Sequence, residues 1–402
     1  MLIGIWLGTE VVASSGGGGS YSNRFLQLVD SYTFDEQIEI CYLTLSDKNI
    51  LNKRCINVSQ IPAFIYKIFS FSKVTSHFIK WLDLFFIKQK GLLRVLNGTN
   101  VKIVFYYRQA ECIDSNFPFI SNNWDIGHRS THAFPEVIIN KAFEGRDIFY
   151  KQILPKSLLT VCESEAGKKE LIDYTGLGAH KIRVMPLFAG GVASLSVSEK
   201  EMMTIIEKIG VRPFCYFYYP AQFWAHKNHI GLLRAFKEFK DVHVEYKLVL
   251  SGSDRGNKDY IIEKTQELGL AKDVIFLGFI PEEYVYSLYK NAMCLVMASH
   301  FGPTNMPPIE AMELGCPVIC SNLGGHREIL GDNAIYFNSY DYKSIFNALE
   351  EITHNRDIWV KRIEKQKSLS IFNSQYAMKC FNTILKEAIV IRENWGYDYS
   401  TK

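Results

Sequence analysis

The chain has 402 residues, of which 48% are hydrophobic and 22% charged, enough for two globular domains and too much for a single small binding module. Lys plus Arg number 45 against 42 Asp plus Glu, a formal net charge of only +3, which excludes nucleic acid as the main partner and makes any basic surface a local one. Nine scattered cysteines with no Cys-x-x-Cys pair argue against a disulfide framework or a zinc site and predict free thiols packed as small hydrophobes. Met1–Gly8 lacks the cationic and long apolar parts of a secretory signal, and no run of about 18 uncharged apolar residues occurs, so a cytosolic chain without a spanning helix is expected.

Short apolar runs alternate with segments of helical period, the pattern of strand–helix units around parallel sheets. In chain order, strands are predicted at Leu2–Gly8, Glu39–Leu45, Val101–Tyr107, Leu158–Ser164 and Ile182–Leu187, with helices at Ser20–Asp30 and Glu165–Tyr174. A Gly- and Ser-rich patch at Ala189–Ser198 then interrupts the pattern. It restarts with strands at Phe214–Pro220, Tyr246–Ser251, Val274–Gly278, Cys294–Ala298 and Pro317–Ser321, alternating with helices at Asn228–Phe239, Lys258–Leu268, Glu282–Lys290 and Pro308–Leu314. The reading is α/β: two doubly wound, Rossmann-like domains, 1–190 and 191–372, facing across a cleft, and a last helical segment, 373–402, that turns back toward the first domain. Open parallel sheets bind ligands at strand C-terminal ends, so the cleft is the expected site.

Between Lys53 and Arg94 eight basic residues stand against one acid, Asp83, and alternate with Phe64, Tyr66, Phe69, Phe71, Phe78, Trp81, Phe85 and Phe86. Two readings stand. The apolar residues pack on the sheet while the lysines are solvated, or the stretch lies in an anionic membrane interface.

The most informative segment is Ala298–Leu330, ASHFGPTNMPPIEAMELGCPVICSNLGGHREIL. A strand ends, a Gly/Pro/Asn loop follows, and a helix begins near Pro307 or Pro308, where proline costs no hydrogen bond. The N–H groups of Thr304, Asn305 and Met306 at a positive helix end form an anion site suited to phosphate. Glu310, one turn on, either accepts hydrogen bonds from a ribose diol or is simply a carboxylate favoured near a helix N-terminus.

The run Pro307–Ile319 followed by Asn322–Glu328 resembles the donor-site signature of glycosyltransferase family 4, and segments including His226-Lys227-Asn228, Trp124–Val137 and Val161–Leu187 resemble the family in the same order. The resemblance implies a GT-B fold, retention of anomeric configuration and a nucleotide-sugar donor, with Glu310 as the ribose ligand. It also implies that Lys227, with the amides of Thr304, Asn305 and Met306, meets the charge of the departing diphosphate. No Asp-x-Asp motif is present, so neither a metal nor another cofactor is expected.

In the family, Asn123–Arg129 corresponds to a region beside the transferred sugar. Asp125 and His128 are therefore candidates for sugar contact or a polar catalytic role, with Arg129 near acceptor or phosphate; the alternative is a turn cap and a satisfied polar ring. The glycine run 16–19 does not complete a Gly-x-Gly-x-x-Gly fingerprint, which disfavours an NAD-dependent oxidoreductase. By resemblance Gly18 and Gly19 approach donor or acceptor, and Phe279 sits by the nucleobase. Two departures stand out. The first carboxylate of the family's pair is replaced by Gly302, and the basic residue five positions before Lys227 by Gln222. His300, Asn305 or Gln222 itself would have to compensate. The expected activity is hexosyl transfer from a UDP- or GDP-sugar to a growing, lipid-linked glycan at a cytoplasmic membrane face. The alternative is a noncatalytic GT-B partner subunit that binds nucleotide sugar or glycan.

Overall fold

The computed structural model describes residues 1–8, 17–45, 52–69 and 73–396. Gly16 and Phe71, singled out above, lie outside them.

The chain forms two parallel sheets. The first contains β1 (Leu2–Gly8), β2 (Glu39–Thr44), β3 (Cys55–Asn57), β4 (Val101–Tyr106), β5 (Phe119–Asn123), β6 (Leu159–Cys162) and β7 (Ile182–Val184), in the order β3-β2-β1-β4-β5-β6-β7. The second contains β8 (Tyr216–Pro220), β9 (Lys247–Ser251), β10 (Val274–Gly278), β11 (Cys294–Met297), β12 (Val318–Ser321) and β13 (Ile335–Phe337), in the order β10-β9-β8-β11-β12-β13. Strand order reverses between β1 and β4 and again between β8 and β11, and these are the switch points where such sheets open a crevice. The central strands are continuous apolar runs because helices cover both faces; β4, β6, β11 and β12 have hardly an accessible residue.

The helices fall where caps and left-handed glycines allow. Ser164 accepts from the Gly167 N–H at 3.0 Å to start Glu165–Thr175, and Gly176, at φ 71°, ends it. The first helix starts at Gly17, earlier than predicted, so Gly18 and Gly19 form its first turn. The helix near the prolines starts at Met306, which places Pro307 and Pro308 inside its first turn. Strands β3, β5 and β13 and the long helix Tyr342–Leu369 were not among the predicted elements. The last helix, Ser374–Arg392, leaves the second sheet and packs on the first lobe. Phe381 meets Phe105 and Phe25 with ring centroids 4.8 and 5.3 Å apart, and Lys386 pairs with Asp35 at 2.8 Å. Burying such aromatic side chains contributes on the order of 2 to 3 kcal/mol each, so this contact ties the chain end to the far lobe. All nine cysteines are free, and five of them, Cys41, Cys162, Cys294, Cys316 and Cys320, are buried.

The basic, aromatic stretch forms two helices, Ala63–Phe69 and Lys73–Lys90. The second packs inward through Ile79, Asp83 and Ile87, while Val74, Phe78, Trp81, Phe85 and Phe86 are exposed. The apolar residues of this stretch thus divide: Ile79 and Ile87 pack inward as the first reading has it, and the four exposed rings do not. No helix among the described residues is long and apolar enough to cross a membrane.

Candidate active site

A cavity of about 290 Å³ lies between the lobes. The first lobe contributes Trp124, Asp125, Glu136, Val137, Arg146 and Glu163, and the second contributes Trp224, His226, Lys227 and the loop 301–305. Its floor is the start of the helix Met306–Leu314. Thr304, Asn305 and Met306 offer backbone N–H groups with no hydrogen-bond acceptor among the described residues, and Pro307 and Pro308 have no N–H to offer.

Lys227 points at this helix end. Its position follows from the short turn Ala225–Lys227 after β8 and from Asn228, whose side chain accepts from Gly231 N–H to start the next helix. The ammonium donates to Asn305 Oδ1 at 2.9 Å. The amide of Asn305 is oriented in turn by His326, 3.0 Å from Nδ2, and His326 Nδ1 lies 2.7 Å from the Ser321 carbonyl. A carbonyl only accepts, so Nδ1 carries the proton and Nε2 accepts from Asn305. Burial pushes the His326 pKa down to about 4, which keeps this neutral form at ordinary pH. Burial likewise pulls the Lys227 ammonium down to about 8, against the opposing pull of Asp125 and Glu136. The result is a partly desolvated cation fixed beside unfilled amides, an arrangement that strengthens its hold on an anion. His326 stood in the sequence motif without a role; its place in this chain shows only in three dimensions.

The lobes touch around the cavity. Glu136 binds the His226 ring and accepts from its backbone N–H at 3.1 Å. Thr304 Oγ1 donates to Glu163 Oε2 at 2.7 Å. Glu328 accepts from the N–H groups of Glu165 and Ala166 at 2.8 and 2.9 Å, capping a helix of the opposite lobe. Phe134 stacks on His300 with centroids 5.6 Å apart. His300 is thus engaged in a ring contact rather than facing the cavity lining.

The remaining sequence candidates divide. Asp125 lines the cavity, where burial opposes its charge but Arg146 and the Gly127 N–H at 2.8 Å hold its carboxyl below the usual range. Gly18 brings the first helix against Trp124, since a Cβ there would lie 3.2 Å from the indole; Gly19 is buried in the same turn. His128 lies outside the cavity lining, stacked on Tyr150 at 5.2 Å with Nε2 3.2 Å from Asp147. Arg129 is also committed to Asp147, at 2.6 Å through Nε. Gln222 does not reach the lining; its Oε1 accepts from Trp224 Nε1 at 3.0 Å, and its buried Nε2 has no partner. Phe279 is exposed, 59%, beyond the end of β10.

Glu310 departs most from expectation. Expected as a ribose ligand, Glu310 is buried outside the cavity lining, with Tyr289 Oη donating to it at 3.0 Å. A Cβ on Gly190 would come within 2.8 Å of Glu310 Oε1 and 2.3 Å of Ser20 Oγ, so the segment joining the lobes covers this carboxylate. Burial pushes its pKa up to about 7, eased by Tyr289 and aggravated by Glu282. A ribose would reach Glu310 only after Gly190 moves aside.

Gly302 explains its own missing carboxylate. Its φ is +123°, and a Cβ there would stand 3.0 Å from both Asn305 Nδ2 and the Thr304 carbonyl. Any side chain at this position strains the backbone and presses on the asparagine that orients Lys227.

Comparison with known proteins bears chiefly on the second lobe. Residues 209–370 match the model for glycosyl transferases group 1. These residues are a group 1 glycosyl transferase domain. The O-antigen chain mannosyltransferase B of Escherichia coli is 30% identical to the chain over 192 residues, 47% of this chain and 49% of that protein. The O-antigen chain mannosyltransferase RfbU of Salmonella typhimurium is 33% identical over 132 residues, 32% of this chain and 36% of that protein. The matches thus span about half the length of the first relative and about a third of the second. Among solved structures, a glycosyltransferase from Rickettsia africae superposes with a TM-score of 0.68 at 15% identity, covering 96% of this chain and 98% of that one. Anabaena Alr3699/HepE in complex with UDP-glucose gives 0.68 at 14% identity, covering 96% and 100%. Two parallel sheets facing across a cleft are the GT-B architecture, and the group 1 domain is its second lobe.

Proposed function

We propose that the chain is a metal-independent, retaining glycosyltransferase that moves a hexosyl group from a UDP- or GDP-sugar to a growing, lipid-linked glycan in surface polysaccharide synthesis. Mannose is the first sugar to test, because the matched relatives are mannosyltransferases. The observation that carries the reading is Lys227 held by Asn305 at a helix end whose amides are unfilled, inside the cavity between the lobes. There the ammonium and amides stabilise the charge that develops on the departing diphosphate. Asp125 is tied to Arg146 and Glu136 to His226, so neither is free to serve as a strong base. Retention by attack on the same face needs none, since the leaving phosphate oxygen takes the proton of the acceptor hydroxyl.

Thermal stabilisation by a panel of UDP- and GDP-sugars, followed by nucleotide release with a lipid-linked acceptor, tests this reading. One nucleotide sugar is expected to raise the melting temperature by mass action and to be consumed with acceptor. Stabilisation without consumption favours the second reading, a noncatalytic GT-B partner subunit, which Gly302 and Gln222 motivate. No stabilisation by any member of the panel contradicts both.

The cytoplasmic membrane face is part of the same proposal. On the helix Lys73–Lys90, Phe78, Trp81 and Phe85 stack in a row, with neighbouring centroids 6.1 Å apart. Asp83, the one acid between Lys53 and Arg94, is buried and accepts from Ser59, Gln60 and Tyr66, while Lys80, Lys88 and Lys90 share the helix with the rings. An exposed aromatic row whose flanking charge is basic matches an anionic lipid surface. Co-sedimentation with phosphatidylglycerol vesicles should fall about tenfold or more when Phe78, Trp81 and Phe85 are changed together to serine. Equal binding by wild type and variant would contradict the assignment.

A further inference from the structure

Glu163 follows directly on β6, and its backbone is pinned because its carbonyl accepts from Leu187 N–H at 3.1 Å. The side chain crosses from the first lobe to the second, where Oε2 accepts from Thr304 Oγ1 at 2.7 Å. The bond to Thr304 is the one hydrogen bond of this carboxyl among the described residues, Oε1 is not among the fully buried unpaired atoms, and the residue lines the cavity with Trp124, Lys227 and Gly302. The carboxyl is therefore largely buried, with one oxygen anchored and the other left without a protein partner. Burial drives its pKa up to about 8, partly offset by Thr304 and reinforced by the nearby charge of Asp125.

A donor sugar needs a polar partner on this wall, and the residue that the family resemblance would place there is Gly302, whose backbone excludes a side chain. Thr304, two residues along the same loop, is the group that anchors Glu163. We propose that Glu163 supplies the missing carboxyl from the opposite lobe, its Oε1 hydrogen-bonding a hydroxyl of the donor sugar; this rests on the nucleotide-sugar transfer proposed above. A sugar hydroxyl both donates and accepts, so it satisfies Oε1 in either protonation state. The contact reaches across the cleft, and the sugar is gripped only when the lobes meet as they do here.

Glu163→Ala and Glu163→Gln in the full chain test the assignment through three readouts: sugar turnover, calorimetric affinity for free UDP and GDP, and melting temperature. Turnover is expected to fall about 10- to 100-fold in the alanine variant and less in the glutamine variant, which keeps an acceptor oxygen. Affinity for the free nucleoside diphosphate should stay within about twofold, because Glu163 meets the sugar and not the phosphates. The melting temperature at pH 8 should be unchanged or higher. A group whose folded pKa is raised destabilises the fold as pH rises toward that value, and both variants remove it. Wild-type turnover in both variants, or a parallel loss of diphosphate affinity, would overturn the role of Glu163 while leaving the transfer reading intact. A wild-type chain that neither binds a nucleoside diphosphate nor turns over a nucleotide sugar would overturn that reading and this inference with it.

Discussion

Replacing Lys227 with alanine is expected to lower sugar turnover about 100- to 1,000-fold, the usual loss when one preorganised donor to a developing anion is removed. The ammonium is held by Asn305, Asn305 by His326, and His326 by the Ser321 carbonyl, so the charge is fixed before any ligand arrives. Arginine is not expected to rescue the loss, because a planar fork does not fit the place of a compact ammonium bound to one amide oxygen. Stability should move the other way. The folded pKa of Lys227, about 8, lies below that of an unfolded lysine. Between about pH 8 and 10.5 the unfolded chain therefore binds more protons, stability rises with pH, and below pH 8 the buried cation is a net cost. The alanine variant should melt no lower than wild type at pH 7. The same titration predicts that wild-type kcat/KM falls on the alkaline side with an apparent pKa near 8, as the free protein loses the charge that meets the diphosphate. A steady-state assay of nucleotide release across pH checks both points.

Gly325→Ala is expected to be the most disruptive single-methyl change. A Cβ at Gly325 would sit 1.4 Å from the Pro303 carbonyl oxygen and 2.4 Å from its carbon, both backbone atoms that no rotamer change can clear. Either the helix Gly324–Leu330 or the loop 301–305 must shift. That loop carries Thr304 and Asn305, and the helix carries His326, so the shift separates the pieces that orient Lys227. A stability loss of about 1 to 3 kcal/mol, together with loss of turnover, is expected. Gly324→Ala is the matched control. Its nearest neighbour would be the Ala166 Cβ at 3.6 Å, ordinary contact, and its stability should change little. Denaturant unfolding of the two variants separates backbone contact from a general intolerance of side chains in this turn.

The alternation of apolar runs and helical segments made the two sheets legible, because fully covered parallel strands must be apolar throughout. Where the pattern was short it failed. Strands β3 and β13 have three residues each, and β5 reads Phe-Ile-Ser-Asn-Asn, whose polar half is nevertheless buried, with Asn122 donating to the Tyr107 carbonyl and to Tyr21. The helix end and Lys227 could be foreseen because a strand, a loop and prolines fix them locally. The carboxyl of Glu163 could not, since its partner Thr304 lies 141 residues away and the two meet only when the lobes do. Similarly, nothing near Glu310 announces that Gly190 covers it, and nothing near His128 announces Asp147 and Tyr150. What the sequence conveyed was local chemistry, and what it withheld was contact between separate elements of the fold.

Calorimetric titration of UDP and GDP into the chelator-treated chain, and into its Lys227→Ala variant, tests most directly whether a helix end and one ammonium group hold a diphosphate in this cavity. One of the two nucleotides should bind the wild-type chain with EDTA present, and the variant should bind it at least about tenfold more weakly. Binding that returns only when a divalent cation is restored, or equal affinity in wild type and variant, would contradict the account.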